Sequence, residues 1–208
     1  MKRTKKQKLV LLSVGMNQKL AKNIGVFNLP QGITCPGKTA ACAKLCYACK
    51  AERCYKSARE KRARNYQVVK DVMAQAAGGL AIALSTEIKA AGVSKVRIHE
   101  SGDFFSQAYF NEWVAVAMVN PGVTFLAYTK SMHLDFSVAP DNMKIYFSTD
   151  STTTMPVPDG RPKAHLVQKG ETAPANFYTC KHTAKEHYCG SECTICWAGN
   201  YSVYFDQH

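Results

Sequence analysis

The sequence predicts one α/β domain over residues 1–208, built as a partial (β/α) barrel or an open parallel sheet, with cysteine-rich metal loops near both ends. Three observations predict it. Strand-length apolar runs alternate with helical stretches through the middle of the chain, which is the pattern of parallel βαβ units. Those runs end in small or polar residues, as strands do at the working edge of a parallel sheet. Nine cysteines fall mainly into two groups, within 35–54 and 180–197.

The elements follow in order. "KLVLLSVG" and "GVFNLP" read as early strands, and the first cysteine loop comes next. From about 51 to 77 the pattern is helical. Tyr55, Ala58, Tyr66, Val69 and Met73 share a stripe that Arg62 interrupts, and Gly78-Gly79 ends it. A second helix covers about 80–91, with Leu80, Leu84 and Ile88 inward and Gly92 as its stop. "KVRIHE" is a strand leading into "SGD". Ser106 caps a helix to about residue 119 that carries Phe110, Trp113 and Ala117 on one face. "VTFLAY" then runs into "TKS", a short helix is expected over 132–138, and "MKIYFS" runs into "TDS". "AHLV" and "YSVYFD" complete the strands, and "STTTMPVPDG" reads as a loop.

Charge and composition narrow the function. The net charge is +12, and residues 1–70 hold 17 Lys and Arg against two acids, Glu52 and Glu60. A basic half of this kind suits nucleic acid or another anionic ligand, and equally a solvated helix face. No apolar run approaches the roughly 20 residues needed to span a bilayer. The apolar run at 9–14 is too short for a secretion signal. The expected setting is therefore a cytoplasm, where disulfides are not maintained and clustered cysteines bind metal instead. No Gly-rich phosphate loop and no Gly-x-Ser-x-Gly elbow occurs, which argues against nucleotide triphosphatases and against hydrolases of that kind.

The cysteines carry the strongest signal. Cys42, Cys46 and Cys49 are spaced C-x3-C-x2-C, and so are Cys189, Cys193 and Cys196. Cys35 and Cys180 lie upstream of the two triplets, and Cys54 is left over as a packed thiol. Thiolates are soft ligands, suited to zinc and to iron–sulfur clusters. Zinc favours paired C-x2-C knuckles, which neither set has. Three close cysteines with one more distant suit a four-iron cluster, which takes one ligand per iron. The expectation is one or two 4Fe-4S clusters, with zinc as the alternative.

"FNLP" at 27–30, "TCPG" at 34–37, Cys42 with Cys46-Tyr47-Ala48, "SGDF" at 101–104, "AYTKS" at 127–131, and Cys189-Gly190 followed by Cys193 and Cys196-Trp197 resemble the phage Gene product 88 family. The resemblance implies a bacteriophage protein with Cys35, Cys42 and Cys46 as its upstream cysteines, without Cys49. The C-x3-C-x2-C spacing with "ESGDF" also resembles the radical S-adenosylmethionine enzymes. That likeness implies a cluster with one open iron, a partial barrel around it, and Ser101 and Gly102 near the cosubstrate. Ala48 stands where that family has an aromatic residue, and two helices separate the cysteine loop from "VRIHESGD" where it has one.

His99, Glu100 and Asp103 are the candidate acid–base or metal-binding residues, and they read equally as a capped strand end. Lys130 and Asp150, at later strand ends, are candidates for an anionic ligand and for the same cavity. His182 and His187 flank the second cysteine group, and Trp197 is expected to shield a cluster. The expected function is redox or radical chemistry on a small molecule. The alternative is a metal-stabilised module that binds nucleic acid through residues 1–70, or a host partner, without catalysis.

Overall fold

The computed structural model describes residues 10–15, 19–180 and 188–207. His182 and His187 lie outside them. The described strands are β1 (Ser13–Val14), β2 (Ile24–Phe27), β3 (Lys95–Ile98), β4 (Thr124–Thr129), β5 (Met143–Asp150), β6 (Lys163–Val167), β7 (Tyr178–Thr179) and β8 (Val203–Asp206). They form one sheet in the order β1-β2-β3-β4-β5-β6-β8-β7. Every pairing is parallel except that of β1 with β2. From β2 to β6 each strand lies beside its successor, the order of an unrolled barrel. The sheet is open, with β1 and β7 at its edges, and no closed barrel forms.

Period-two alternation in the strands divides the core between the two faces. The register Phe27↔Ile98, Ile98↔Ala127 and Ala127↔Ile145 lines up one set of apolar side chains. These pack with Leu84, Ile88, Phe110 and Trp113 of the helices. Val26, Leu126, Tyr146 and Val203 belong to the opposite face, which Cys196 and Trp197 cover. The helices are α1 (Ala40–Leu45), α2 (Tyr47–Cys54), α3 (Lys56–Gln75), α4 (Gly79–Ala91), α5 (Gln107–Met118) and α6 (Ile195–Ala198).

Buried polar side chains fix how the helices dock. Ser106 caps α5 by accepting from the Tyr109 N–H. The carboxylate of Glu112, on α5, accepts from the N–H groups of Gly78 and Leu80 at 2.6 and 3.0 Å. It thereby satisfies donors at the start of α4 that no helical carbonyl can reach.

The first cysteine loop departs from expectation, because α1 and α2 make much of it helical. Arg62 does not interrupt the inward stripe of α3; it is buried, and it donates to Ala48 O and Glu52 Oε1 at 3.1 and 3.0 Å. Glu52 also accepts from Gln31 N, so one ion pair fastens α2, α3 and the loop after β2. Tyr55, expected inward, is 64% exposed. Residues 132–138 form turns rather than a helix. Cys54 is exposed rather than packed.

Candidate metal centres

The first centre sits at the carboxyl ends of β3, β4 and β5. Asp103, after β3, accepts from the N–H groups of Phe104 and Lys130 and from Thr129 Oγ1, at 2.7, 2.8 and 2.6 Å. It clamps the end of β3 to that of β4. Burial pushes its carboxyl up to about 6, against the three donors and the Lys130 charge. Lys130 Nζ reaches Asp150 Oδ2 at 2.8 Å and Ser148 O at 3.1 Å. Burial raises the Asp150 carboxyl, but donors from Lys130, Thr39 and Thr152 outweigh it and bring the carboxyl down to about 2.

Cys42 is positioned from this edge. Thr39 caps α1 by accepting from the Cys42 N–H at 3.1 Å, while its own hydroxyl donates to Asp150 Oδ2 at 2.5 Å. Ala41 N donates to Thr152 Oγ1 at 3.0 Å. The start of α1 thus rests on the end of β5. Burial pushes the Cys35 thiol up to about 11, opposed by the Gly32 N–H, with Asp103, Cys42 and Cys46 adding to the rise. Burial also raises the Cys42 thiol, with Lys130 opposing and Cys46, Asp150 and Asp103 adding. Cys35, Cys42 and Cys46 therefore lie within electrostatic reach of one another. Cys49 is on α2 and is not among the strongest influences on Cys35 or Cys42.

Two glycines make the close approach possible. A Cβ on Gly102 would stand 2.7 Å from both Leu29 Cβ and Thr34 Oγ1, and its φ is +85°. A Cβ on Gly37 would overlap the Lys130 carbonyl. Ser101 Oγ donates to Leu29 O at 2.9 Å, and Asn28 Oδ1 accepts from the N–H groups of Glu100 and Ser101. The "FNLP", "TCPG", "SGD" and "TKS" stretches are one packed unit.

His99 takes a different place. Its φ is 59°, in the left-handed region, and its ring lies among Phe27, Phe104, Tyr109 and Trp113. Nε2 is 2.8 Å from the Tyr109 hydroxyl. Burial and then the Arg97 charge lower its pKa to about 3, so the ring is neutral. The structure brings Ser101, Gly102, Asp103, Lys130 and Asp150 together with Cys35, Cys42 and Cys46. It places the His99 ring in the helix-side core.

The second centre lies on the opposite face of the sheet. Cys189 N donates to Lys19 O and Cys189 O accepts from Ala21 N, joining the carboxy-terminal segment to the chain before β2. Gly190 N donates to Cys193 O at 2.7 Å, and Cys180 N to Tyr204 O at 3.0 Å. Cys196 is buried on α6; burial pushes its thiol up to about 12, with Tyr128 opposing and Cys189 and Cys180 adding. Burial raises the Cys189 thiol too, against Trp197 and Arg97 and with Cys193 adding. Arg97 lies over the Tyr128 ring, 3.9 Å from its centroid. Arg97 Nε, Tyr146 Oη and Trp197 Nε1 are buried donors without a well-aligned partner, the last of them facing the Cys189 thiol.

Four thiols, a cation and three unsatisfied donors on one patch fit an anionic sulfur-rich group. Among the described residues, no three His, Cys, Asp or Glu side chains are drawn close enough to hold a single metal ion. Arg97, Tyr128 and Tyr146 escaped the sequence reading. Alternation along β3, β4 and β5 could have placed them on a shared face, but the register that aligns them is set by pairing between strands. Two shallow depressions, lined by Gln107, Asn111 and Asp135 and by Gln168, Glu171 and Asp206, contain no cysteine. No helix among the described residues is long and apolar enough to cross a membrane.

Fold and geometry together define a class: an open, mostly parallel α/β sheet with one cysteine group at its carboxyl edge and another across its far face. The chain belongs to the Gene product 88 family, whose profile matches residues 2–199. It is similar to the Gene 88 protein of Mycobacterium phage L5, at 36% identity over 142 residues, 63% of this chain and 58% of the relative. It is similar also to the Gene 88 protein of Mycobacterium phage D29, at 33% identity over the same shares of the two chains. The chain thus spans a little over half the length of these relatives, and it is of bacteriophage type. No solved structure matches it.

Proposed function

We propose that this chain is a bacteriophage iron–sulfur protein that carries a 4Fe-4S cluster on each cysteine set. The amino-terminal cluster, held by Cys35, Cys42 and Cys46, would serve redox or radical chemistry on a small molecule. The observation that carries the reading is that these three thiols lie within electrostatic reach of one another at the carboxyl ends of β3–β5, with α1 fastened to Asp150 through Thr39 beside Asp103 and Lys130. That edge is where parallel sheets place their chemistry. Three thiolates leave one iron of a four-iron cluster open to an outside ligand. When bound, such a cluster supplies single electrons to that ligand.

S-adenosylmethionine is the ligand class that the sequential strand order and the "SGD" turn favour. Asp103 then acts by position, since two of its three bonds hold the end of β3 to that of β4. Zinc is the less favoured occupant, because neither set has the paired C-x2-C knuckles that zinc favours.

Anaerobic purification with iron and sulfide analysis tests the reading. Equal amounts of iron and sulfide, a brown colour and a paramagnetic signal after reduction are expected. The signal should change when S-adenosylmethionine is added. Stoichiometric zinc without sulfide would overturn the cluster, and an unchanged signal would overturn the choice of cosubstrate.

One observation favours a second reading. Lys38, Lys44, Lys50, Arg53, Lys56 and Arg59 are exposed, with Tyr47 and Tyr55 among them. Exposed cations interleaved with aromatic rings suit a single-stranded nucleic acid, through phosphate contacts and base stacking. Binding that weakens steeply with salt would support it.

A further inference from the structure

We infer that Arg97, Tyr146 and Trp197 form a donor cradle that hydrogen-bonds the sulfur atoms of an iron–sulfur cluster on Cys180, Cys189, Cys193 and Cys196. The inference rests on the cluster reading given under Proposed function and assigns this second centre its supporting residues.

Burying a donor without an acceptor costs about 1–3 kcal/mol, so a native chain keeps few of them. Among the described residues, seven buried side-chain polar atoms lack a partner. Three of them, Arg97 Nε, Tyr146 Oη and Trp197 Nε1, are donors on the sheet face that Cys189 and Cys196 cover. Tyr146 is fully buried and Trp197 is 4% exposed, so water does not serve them from bulk.

Their surroundings orient them. Tyr146 meets the Tyr128 ring edge to face at 5.3 Å, and Tyr128 in turn supports the Arg97 guanidinium. The Trp197 indole nitrogen lies against the Cys189-Gly190 turn, where a Cβ on Gly190 would be 3.2 Å from it. The same Cβ would stand 2.3 Å from Ile24 Cδ1. Only glycine fits there, and the turn keeps its φ of +97°. Ile24, Leu126, Ala164 and Val203 close the patch with apolar surface.

An anionic cluster in this pocket supplies the missing acceptors. Four thiolates and the inorganic sulfides all accept hydrogen bonds, and Arg97 balances part of the charge. Donors and a cation stabilise the reduced, more negative state more than the oxidised one. They therefore raise the midpoint potential. With four protein ligands, one for each iron, this centre has no open position. Its role is to hold and pass an electron, not to bind a substrate.

The test uses full-length protein carrying Cys42→Ser, so that the carboxy-terminal centre titrates with the first centre disabled. In that background Tyr146→Phe removes one donor while keeping the ring, and Trp197→Phe removes one while keeping an aromatic side chain. Arg97→Gln removes the charge. Each of the two ring variants should lower the reduction equilibrium about tenfold, about 59 mV for one electron, and Arg97→Gln should lower it more. Iron–sulfur stretching bands in the resonance Raman spectrum should shift on exchange into D2O, and shift less in the variants. Iron on Cys180, Cys189, Cys193 and Cys196 with an unmoved potential and unmoved bands overturns this inference alone. Absence of iron in the unsubstituted protein overturns it together with the proposed function.

Discussion

Gly37 lies directly against the backbone of Lys130: a Cβ added to it would stand 1.9 Å from the Lys130 carbonyl oxygen. The contact seats the first cysteine loop on the end of β4. Gly37→Ala must push that loop away from the sheet, since the opposing atom is backbone and cannot rotate aside. A destabilisation of about 1–3 kcal/mol is expected, and, on the proposed cluster reading, loss of iron from the first centre. Chemical denaturation and metal analysis check it. Full iron at unchanged stability would show that the loop is not held by this contact.

The Lys130–Asp150 pair governs acid stability at the same edge. Side-chain exposures of 12% and 1% leave little water to replace a lost partner. Lys130→Met should cost about 3–5 kcal/mol by stranding the carboxylate. Because the Asp150 carboxyl lies below its unfolded value, its contribution is complete above about pH 4 and is lost as pH falls towards about 2. In Asp150→Asn the stability should vary less over that interval. Urea midpoints measured from pH 2 to 5 check both.

Asp103 accepts three hydrogen bonds, two of which, from Thr129 and Lys130, join β3 to β4. Asp103→Asn leaves at least one of those donors facing an amide NH2 and should cost about 1–3 kcal/mol. Burial raises this carboxyl to about 6, so the folded state holds its proton more tightly than the unfolded one. Stability should therefore fall as pH rises from about 4 to 6, and Asp103→Asn should remove that slope. Thermal melts across this range are the measurement.

Cysteine replacements separate the two centres. If each set holds a four-iron cluster as proposed, Cys42→Ser or Cys46→Ser should remove about half of the iron, and Cys196→Ser the other half. Cys54→Ser should retain full iron, because its thiol is exposed and belongs to neither proposed ligand set. Cys49→Ser distinguishes the two amino-terminal ligand sets: retained iron is expected if Cys35, Cys42 and Cys46 suffice. Iron and sulfide counts on anaerobic samples give the answer.

Much of the sheet was legible from sequence because β3, β4 and β5 carry apolar residues, alternating in β3 and nearly continuous in β4 and β5, and run into polar turns. The cap at Ser106 and the stop at Gly92 were local and readable too. Arg62 was misread because its partner, Glu52, lies ten residues back across a helix break. His99 shows a different limit. Alternation from Arg97 would place its ring on the cysteine side of the sheet. A left-handed φ turns the ring into the helix-side core instead, and no residue pattern announces that turn. The upstream cysteines were grouped by their spacing and by the family resemblance, whereas the donors around the second set depended on strand register.

The strand order carries a consequence for how the molecule is made. From β2 to β6 each new strand docks on the one before it, so the sheet can assemble in step with synthesis, amino end first. Cys35, Cys42 and Cys46 can gather at its edge while the last cysteines are still being translated. The bridge between Leu20 and Cys189 closes late, linking early chain to late chain. Ribosome-bound nascent chains should therefore order the two cysteine sets one after the other.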